Sequence, residues 1–233
     1  MKTNDTCRLC HIKSQLKESH IIPRSIIKLV RDKKMNNKFY ELGIDTRKII
    51  QDGPKEYLLC NPCEQKIGRY EKYFKESIYL ERHKIKTVLI NRCFIFNNLN
   101  YSSIKLFLLS ALWRMSISSL YQFGKVSLED DEDQIRKLIN EENPGKSTDY
   151  PIVGIVPLIN GRREEAWMCF PLVDENKNIY CMIIGGVLYM ISKTQHDPYF
   201  SKWLLNETGN WIMPSLDFYK IPFLKDLVDN IFR

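Results

Sequence analysis

Long apolar runs are missing from this 233-residue chain. No stretch reaches the roughly 18 to 20 unbroken apolar residues of a membrane-spanning helix, and Met1-Lys2-Thr3-Asn4-Asp5 lacks the apolar core of a secretory signal. A cytoplasmic protein with no membrane partner is expected. There is no internal repeat and no low-complexity tract, which sets aside solenoids and disordered tails. Residues 84–233 contain no nucleotide-binding Gly-rich loop, no nucleophile elbow and no second metal motif, so that half names no chemistry of its own. Cysteine is modest and odd in number, at 7, and without a secretory signal a disulfide framework is not expected.

What remains is an ordinary globular composition, with 44% hydrophobic, 12% aromatic and 27% charged residues. A chain this long buries enough surface to fold without disulfides or metals, so any metal site needs its own explanation. Charge is uneven. Residues 1–100 hold 21 Lys and Arg against 11 Asp and Glu, a net of +10, whereas residues 101–233 are net −3. If either half faces nucleic acid it is the basic one, although a basic surface can also be merely solvated.

The pattern reads as α+β. Residues 1–83 form one unit of small strands and turns closing on a helix. That helix should begin near Glu64, because Pro62 supplies a helix-start φ and Ile67, Tyr70 and Phe74 fall on one stripe. Glu64 and Glu71, two turns apart, share a face. A short helix is expected over 25–34, capped by Ser25, then a polar stretch at 35–38, a turn at 51–54 and a strand at 57–59 delivering Cys60.

Residues 84–233 form a second, α+β unit. Residues 102–121 are apolar around most of a helix, with Lys105 and Arg114 arguing against a membrane span. A second helix should run from Ser127 or 128 to about 142. Its acids at 129–133 either complement the helix N-terminus or bind a hard cation. Strands are expected across 152–191, with Asn160-Gly161 and 174–178 as turns and a break at Gly185-Gly186. A short amphipathic helix should close the chain over 222–232.

Cys7-Arg8-Leu9-Cys10 and Cys60-Asn61-Pro62-Cys63 are two Cys-x-x-Cys knuckles 49 residues apart. A two-residue gap lets both thiolates of a pair reach one ion at about 2.3 Å, and four thiolates close a tetrahedral zinc shell with no open position. The expected metal is a structural Zn²⁺ on Cys7, Cys10, Cys60 and Cys63. His11 follows Cys10 and could replace a ligand, but four cysteines suffice. Cys93, Cys169 and Cys181 sit among apolar residues as small core side chains, and His83 and His196 have no identifiable partner.

Between the knuckles lies Ser19-His20-Ile21-Ile22-Pro23-Arg24. Cys-x-x-Cys, then His-Ile-Ile-Pro, then Leu-Leu-Cys-x-x-Cys leading into a helix resembles the zinc-containing HNH endonucleases, over about residues 5–75. The resemblance implies a ββα-metal, treble-clef-like N-terminal module that hydrolyses nucleic-acid phosphodiester bonds, with DNA as the expected partner, using a divalent metal. It also suggests a setting in phage defence or mobile-element biology. Trp113-Arg114-Met115-Ser116 and its helix look like the second half of bacterial proteins carrying this kind of finger.

Within the resemblance His20 matches the water-activating base, a task suited to imidazole near neutrality. Ser19 stands where the family has a metal-binding Asp or His, and no residue clearly matches the central Asn, since Asp52 or Lys55 occupies that region. Glu64, just after Cys63, and Glu71 are the helix carboxylates that could hold Mg²⁺ or Mn²⁺. For Glu71 the alternative is an i, i+4 contact with Lys75 on a solvated face. Arg24, Lys28, Lys66 and Arg69 are the candidate nucleic-acid-binding residues, with Arg24 or Arg69 able to hold a phosphate bidentately. Two readings follow: a metal-dependent endonuclease, or a zinc-stapled nucleic-acid-binding or protein-interaction module without cleavage. Residues 84–233 could recognise substrate or a protein partner.

Overall fold

A computed structural model describes residues 4–30, 39–42, 47–50, 53–80, 87–90, 92–163, 169–174, 179–193, 198–221 and 224. Strand β1 (Asn4–Thr6) pairs antiparallel with β2 (Lys13–His20), and the first Cys-x-x-Cys forms the turn between them. Helix α1 (Arg24–Val30) follows, then a hairpin of β3 (Phe39–Leu42) and β4 (Arg47–Ile50). Strand β5 (Lys55–Cys60) returns to pair antiparallel with β2 and runs directly into helix α2 (Asn61–Ile78).

Helix α2 starts three residues earlier than the sequence pattern indicates. Cys60 takes an extended N-cap conformation and Pro62 sits in the first turn, where its missing N–H costs nothing. Ile67, Tyr70 and Phe74 are buried along the stripe that their spacing predicts. Helix α1 likewise opens at Arg24 rather than Ser25, the Pro23 carbonyl accepting the amides of Ile26 and Ile27.

A hairpin of β6 (Thr87–Ile90) and β7 (Cys93–Phe96) leads into α3 (Tyr101–Ser116). Asn100 caps α3 by accepting the Ser103 amide at 2.8 Å, and the helix stops at Ser116, short of the expected 121. Helix α4 (Asp131–Asn140) begins later than Ser127, because Glu129 adopts a positive φ of 49° that interrupts the helical path. Its first turn carries Asp131, Glu132 and Asp133.

The remaining strands build one large sheet: β8 (Ile152–Ile159), β9 (Arg162–Arg163), β10 (Cys169–Asp174), β11 (Ile179–Ile184), β12 (Val187–Ser192) and β13 (Trp211–Asp217). The order is β10-β11-β12-β8-β13-β7-β6, with β9 on β8. Pairing is antiparallel except between β8 and β13. Asn160 and Gly161 have φ of 50° and 75°, the left-handed pair that a tight β8–β9 turn needs. Gly185 is required twice over, since its φ is 56° and an added Cβ would lie 2.4 Å from the Tyr79 ring. The hairpins at 39–50 and 87–96 and the strand at 211–217 go beyond the sequence expectation. The expected helix at 222–232, the last part of the one expected at 25–34 (residues 31–34), the stretch 35–38, residues 51–52 and 175–178, and His83 and His196 lie outside the described residues, apart from Leu224.

Helix α3 is the centre of the core. Thirteen of its sixteen residues are buried, and Phe107 stacks on Phe74 of α2 at 4.0 Å between ring centroids. One hydrophobic cluster continues from Cys7 and Leu16 through Phe74, Phe107 and Trp113 to Tyr189 and Trp211. No helix among the described residues is long and apolar enough to cross a membrane.

Lys105, 1% exposed in α3, is a charge placed inside this core. Its Nζ donates to Tyr101 Oη at 3.0 Å and to the carbonyls of Lys146 and Asp149, so its three protons meet three acceptors. Replacing it in Lys105→Met removes the buried donor that the Tyr101 hydroxyl and two backbone carbonyls share, and urea unfolding should show a loss of about 1–3 kcal/mol. Burial lowers the Lys105 amine to about 8 in the fold from its ordinary 10.5. Between those values the unfolded chain is the more protonated state, so the contribution of Lys105 grows as pH rises through that window. The stability difference between wild type and Lys105→Met should therefore shift in favour of wild type from pH 8 to pH 10.

Candidate functional site

The two knuckles meet at the start of α2. Cys7 and Cys10 come from the β1–β2 turn, Cys60 ends β5, and Cys63 lies in the first turn of the helix. Their four Sγ atoms all lie within 4.8 Å of one another. Cys10 and Cys60 are 3.8 Å apart, the separation that two ligands of a tetrahedral ion at about 2.3 Å would have. The Cys60 amide points at Cys7 Sγ from 3.4 Å, as amides do towards metal-bound sulfur. The Cys7 amide bonds the Ile12 carbonyl, the His11 amide bonds the Cys7 carbonyl, and His11 has a φ of 60°, which closes the knuckle. Without a cation the thiols share protons unequally. The hydrogen bond from Cys63 draws Cys7 down to about 4, and the same contact pushes Cys63 up. The cluster is thus compatible with zinc, and His11, exposed at its edge, is not among the four.

Strand β2 runs from this knuckle to Ser19 and His20. Ser19 is fully buried, and its hydroxyl donates to Glu64 Oε1 in the first turn of α2. The residue that departs from the resembled pattern therefore touches one of the predicted helix carboxylates. His20 is partly exposed, and its carbonyl accepts from Arg114 Nη1 at 2.6 Å.

Arg114 comes from α3 and is 2% exposed. Its Nε donates to the Ser110 carbonyl at 3.2 Å, and Nη2 stands 2.9 Å from Glu71 Oε1, as an ion pair without hydrogen-bond alignment. Glu71 thus sits on the Glu64 side of α2 as expected, but its partner is Arg114. Glu56 makes a second link from β5 to the same region, accepting from Ser118 Oγ at 2.7 Å and Ser119 Oγ at 2.6 Å.

The predicted cations divide. Lys66 donates to the Asn140 carbonyl and lies 4.0 Å from Glu142, while Arg69 grips both Glu142 oxygens at 3.0 and 3.1 Å. At 3.6 residues per turn these two lie on the opposite side of α2 from Glu64 and Glu71. The Tyr70 hydroxyl adds a 2.8 Å bond, and together with Arg69 it holds the Glu142 carboxyl below its ordinary value. Arg24 and Lys28 stay exposed on α1. The partners Arg114, Glu56 and Glu142 were missed in the sequence because these contacts join residues from 43 (Arg114 to Glu71) to 94 (Arg114 to His20) positions apart; only the likeness around Trp113-Arg114 hinted at one.

Beside the knuckle is a cleft of about 580 Å³, lined by Arg8, His11, Trp113, Glu132 and Arg136 among others. Neither His20 nor Glu64 opens into it. Comparison of the chain with protein families, curated proteins and solved structures found no match.

The Arg114 pairing gives a stability prediction. Arg114→Leu leaves Glu71 and the His20 carbonyl without their cation and should cost about 3–5 kcal/mol in denaturant unfolding. The double change Arg114→Leu/Glu71→Leu should cost less than the single one, because no lone charge is left behind.

Proposed function

We propose that the chain is a metal-dependent, HNH-like phosphodiesterase acting on nucleic acid, with a ββα module formed by β2, β5 and α2 and a structural zinc ion at the four cysteines. The observation that carries this reading is the Ser19–Glu64 contact, which sets a helix carboxylate against the strand that ends in His20. Glu64 is the residue that would hold Mg²⁺ or Mn²⁺, and such an ion supplies charge neutralisation at the phosphate and the leaving oxygen. Ser19 orients that carboxylate. His20 takes the proton of the attacking water. Glu71 acts through Arg114, whose guanidinium fixes the backbone at His20, and is a positioning residue rather than a ligand.

The second reading is a zinc-stapled binding module that does not cleave. It is favoured by the commitment of the Ser19 hydroxyl to Glu64 and of Glu71 to Arg114, which leaves fewer free oxygens for a second metal.

Nicking of plasmid and single-stranded DNA in Mg²⁺ or Mn²⁺ separates the two. His20→Ala should lower cleavage about 10²–10⁴-fold, the range for a lost general base, with zinc content and melting near wild type. Glu64→Gln keeps an acceptor for Ser19 but removes the charge, and should lose cleavage without loss of fold. Absence of cleavage by wild type in either ion would favour the binding module. Elemental analysis should find one zinc per chain, and chelation should unfold the N-terminal module as judged by circular dichroism.

A further inference from the structure

We infer that nucleic acid docks on the exposed side of strand β2, where Lys13 and Lys17, flanked by Ile12 and Tyr57, receive the sugar-phosphate backbone and lead it towards His20. The inference deepens the proposed activity by naming its substrate surface, and it rests on that reading for the identity of the polymer.

The first argument is which cations are available. Lys66 and Arg69 are occupied by Glu142 and the Asn140 carbonyl, so binding a phosphate there means breaking internal contacts first. Lys13 and Lys17 are exposed, and neither is in an ion pair with a described residue. Glu18, the acid beside them, lies 3.6 Å from Lys55, which offsets its charge.

The second argument is spacing. Lys13, Gln15 and Lys17 are exposed at alternate positions while Leu16 between them is buried, so the three share one side of β2. A strand rises about 3.3 to 3.4 Å per residue, so Lys13 and Lys17 stand about 13 Å apart along β2 and can hold two phosphates of one extended backbone. The same strand ends at His20, so a backbone held by Lys13 and Lys17 is aimed at the candidate base.

The third argument is the exposed apolar material. Ile12 is 64% exposed immediately before Lys13, and Tyr57 is 44% exposed on β5, paired with Glu18 next to Lys17. An exposed aromatic ring beside unpaired lysines suits contact with a base or sugar next to a gripped phosphate.

The test is fluorescence anisotropy of the full chain with a labelled duplex DNA, its single strand and the matching RNA, without added Mg²⁺ or Mn²⁺. Lys13→Ala/Lys17→Ala should weaken binding at least tenfold for the preferred polymer and lower the salt slope by about 2, one per lost phosphate contact. Tyr57→Ala should weaken the single strands more than the duplex. Lys66→Ala/Arg69→Ala should change affinity less than threefold. Zinc content serves as the check that each variant is folded.

Equal affinity of wild type and the Lys13/Lys17 variant, or no binding of any of the three polymers by wild type, would overturn the inference. Cleavage by wild type with unchanged KM in that variant would sink the surface while leaving the nuclease. Lost binding in the variant, with no cleavage by wild type in any divalent ion, would uphold the surface and remove the nuclease.

Discussion

Four thiols brought within 4.8 Å are the constraint on which the N-terminal architecture turns. Sulfur at this spacing is a poor neighbour for sulfur unless a cation lies between, because successive deprotonations place like charges side by side. Meeting the constraint fixes a great deal at once. The knuckle turn registers β1 on β2, the Arg8 amide ties the knuckle to the Leu58 carbonyl of β5, and Cys60 and Cys63 bracket the start of α2. Glu64, the next residue, inherits its position from Cys63, and Ser19 from the β2–β5 register. The candidate site is therefore placed by the cysteine cluster, through the Cys63–Glu64 peptide bond and the β2–β5 pairing.

A second dependence runs across the chain. His20 lies in the N-terminal module, but its carbonyl is held by a guanidinium from α3, and Glu71 is held by the same group. Glu56 joins β5 to Ser118 and Ser119 beyond α3. A buried arginine in a helix that is apolar around most of its circumference is tolerable because the module brings it a carboxylate and a carbonyl. The module in turn gains a rigid backbone at His20. Each part satisfies a polar group that the other would leave stranded, and the buried apolar cluster runs on past residue 83 through contacts such as Phe74 on Phe107.

This reciprocity also marks where sequence reasoning stopped. Local signals were legible: Pro62 and the stripe through Ile67, Tyr70 and Phe74 gave α2, Asn160-Gly161 gave a turn, and Gly185-Gly186 separated β11 from β12. The cysteine pairs could be joined because their spacing states a ligand geometry. Element ends were less legible, since Glu129 acts through one positive φ and Asn100 through one side-chain hydrogen bond. Partners of charges were not legible at all. Nothing in the spacing of Arg69, Lys66 and Glu142 says that they meet, because that contact depends on how α4 ends beside α2.

The same contact changes how the basic half of the chain should be weighed. A count of +10 over residues 1–100 treats every cation as equal, yet a lysine or arginine already bound to a carboxylate offers a phosphate little. Glu142 belongs to the acidic half and is spent on the basic one, so part of the charge asymmetry cancels across the α2–α4 contact. Among the described residues, Arg8 of the knuckle, Lys13 and Lys17 of β2, Lys28 of α1 and Lys72 of α2 are exposed and outside these ion pairs. A polyanion at β2 thus meets lysines outside these ion pairs, whereas at Lys66 and Arg69 it has to displace Glu142.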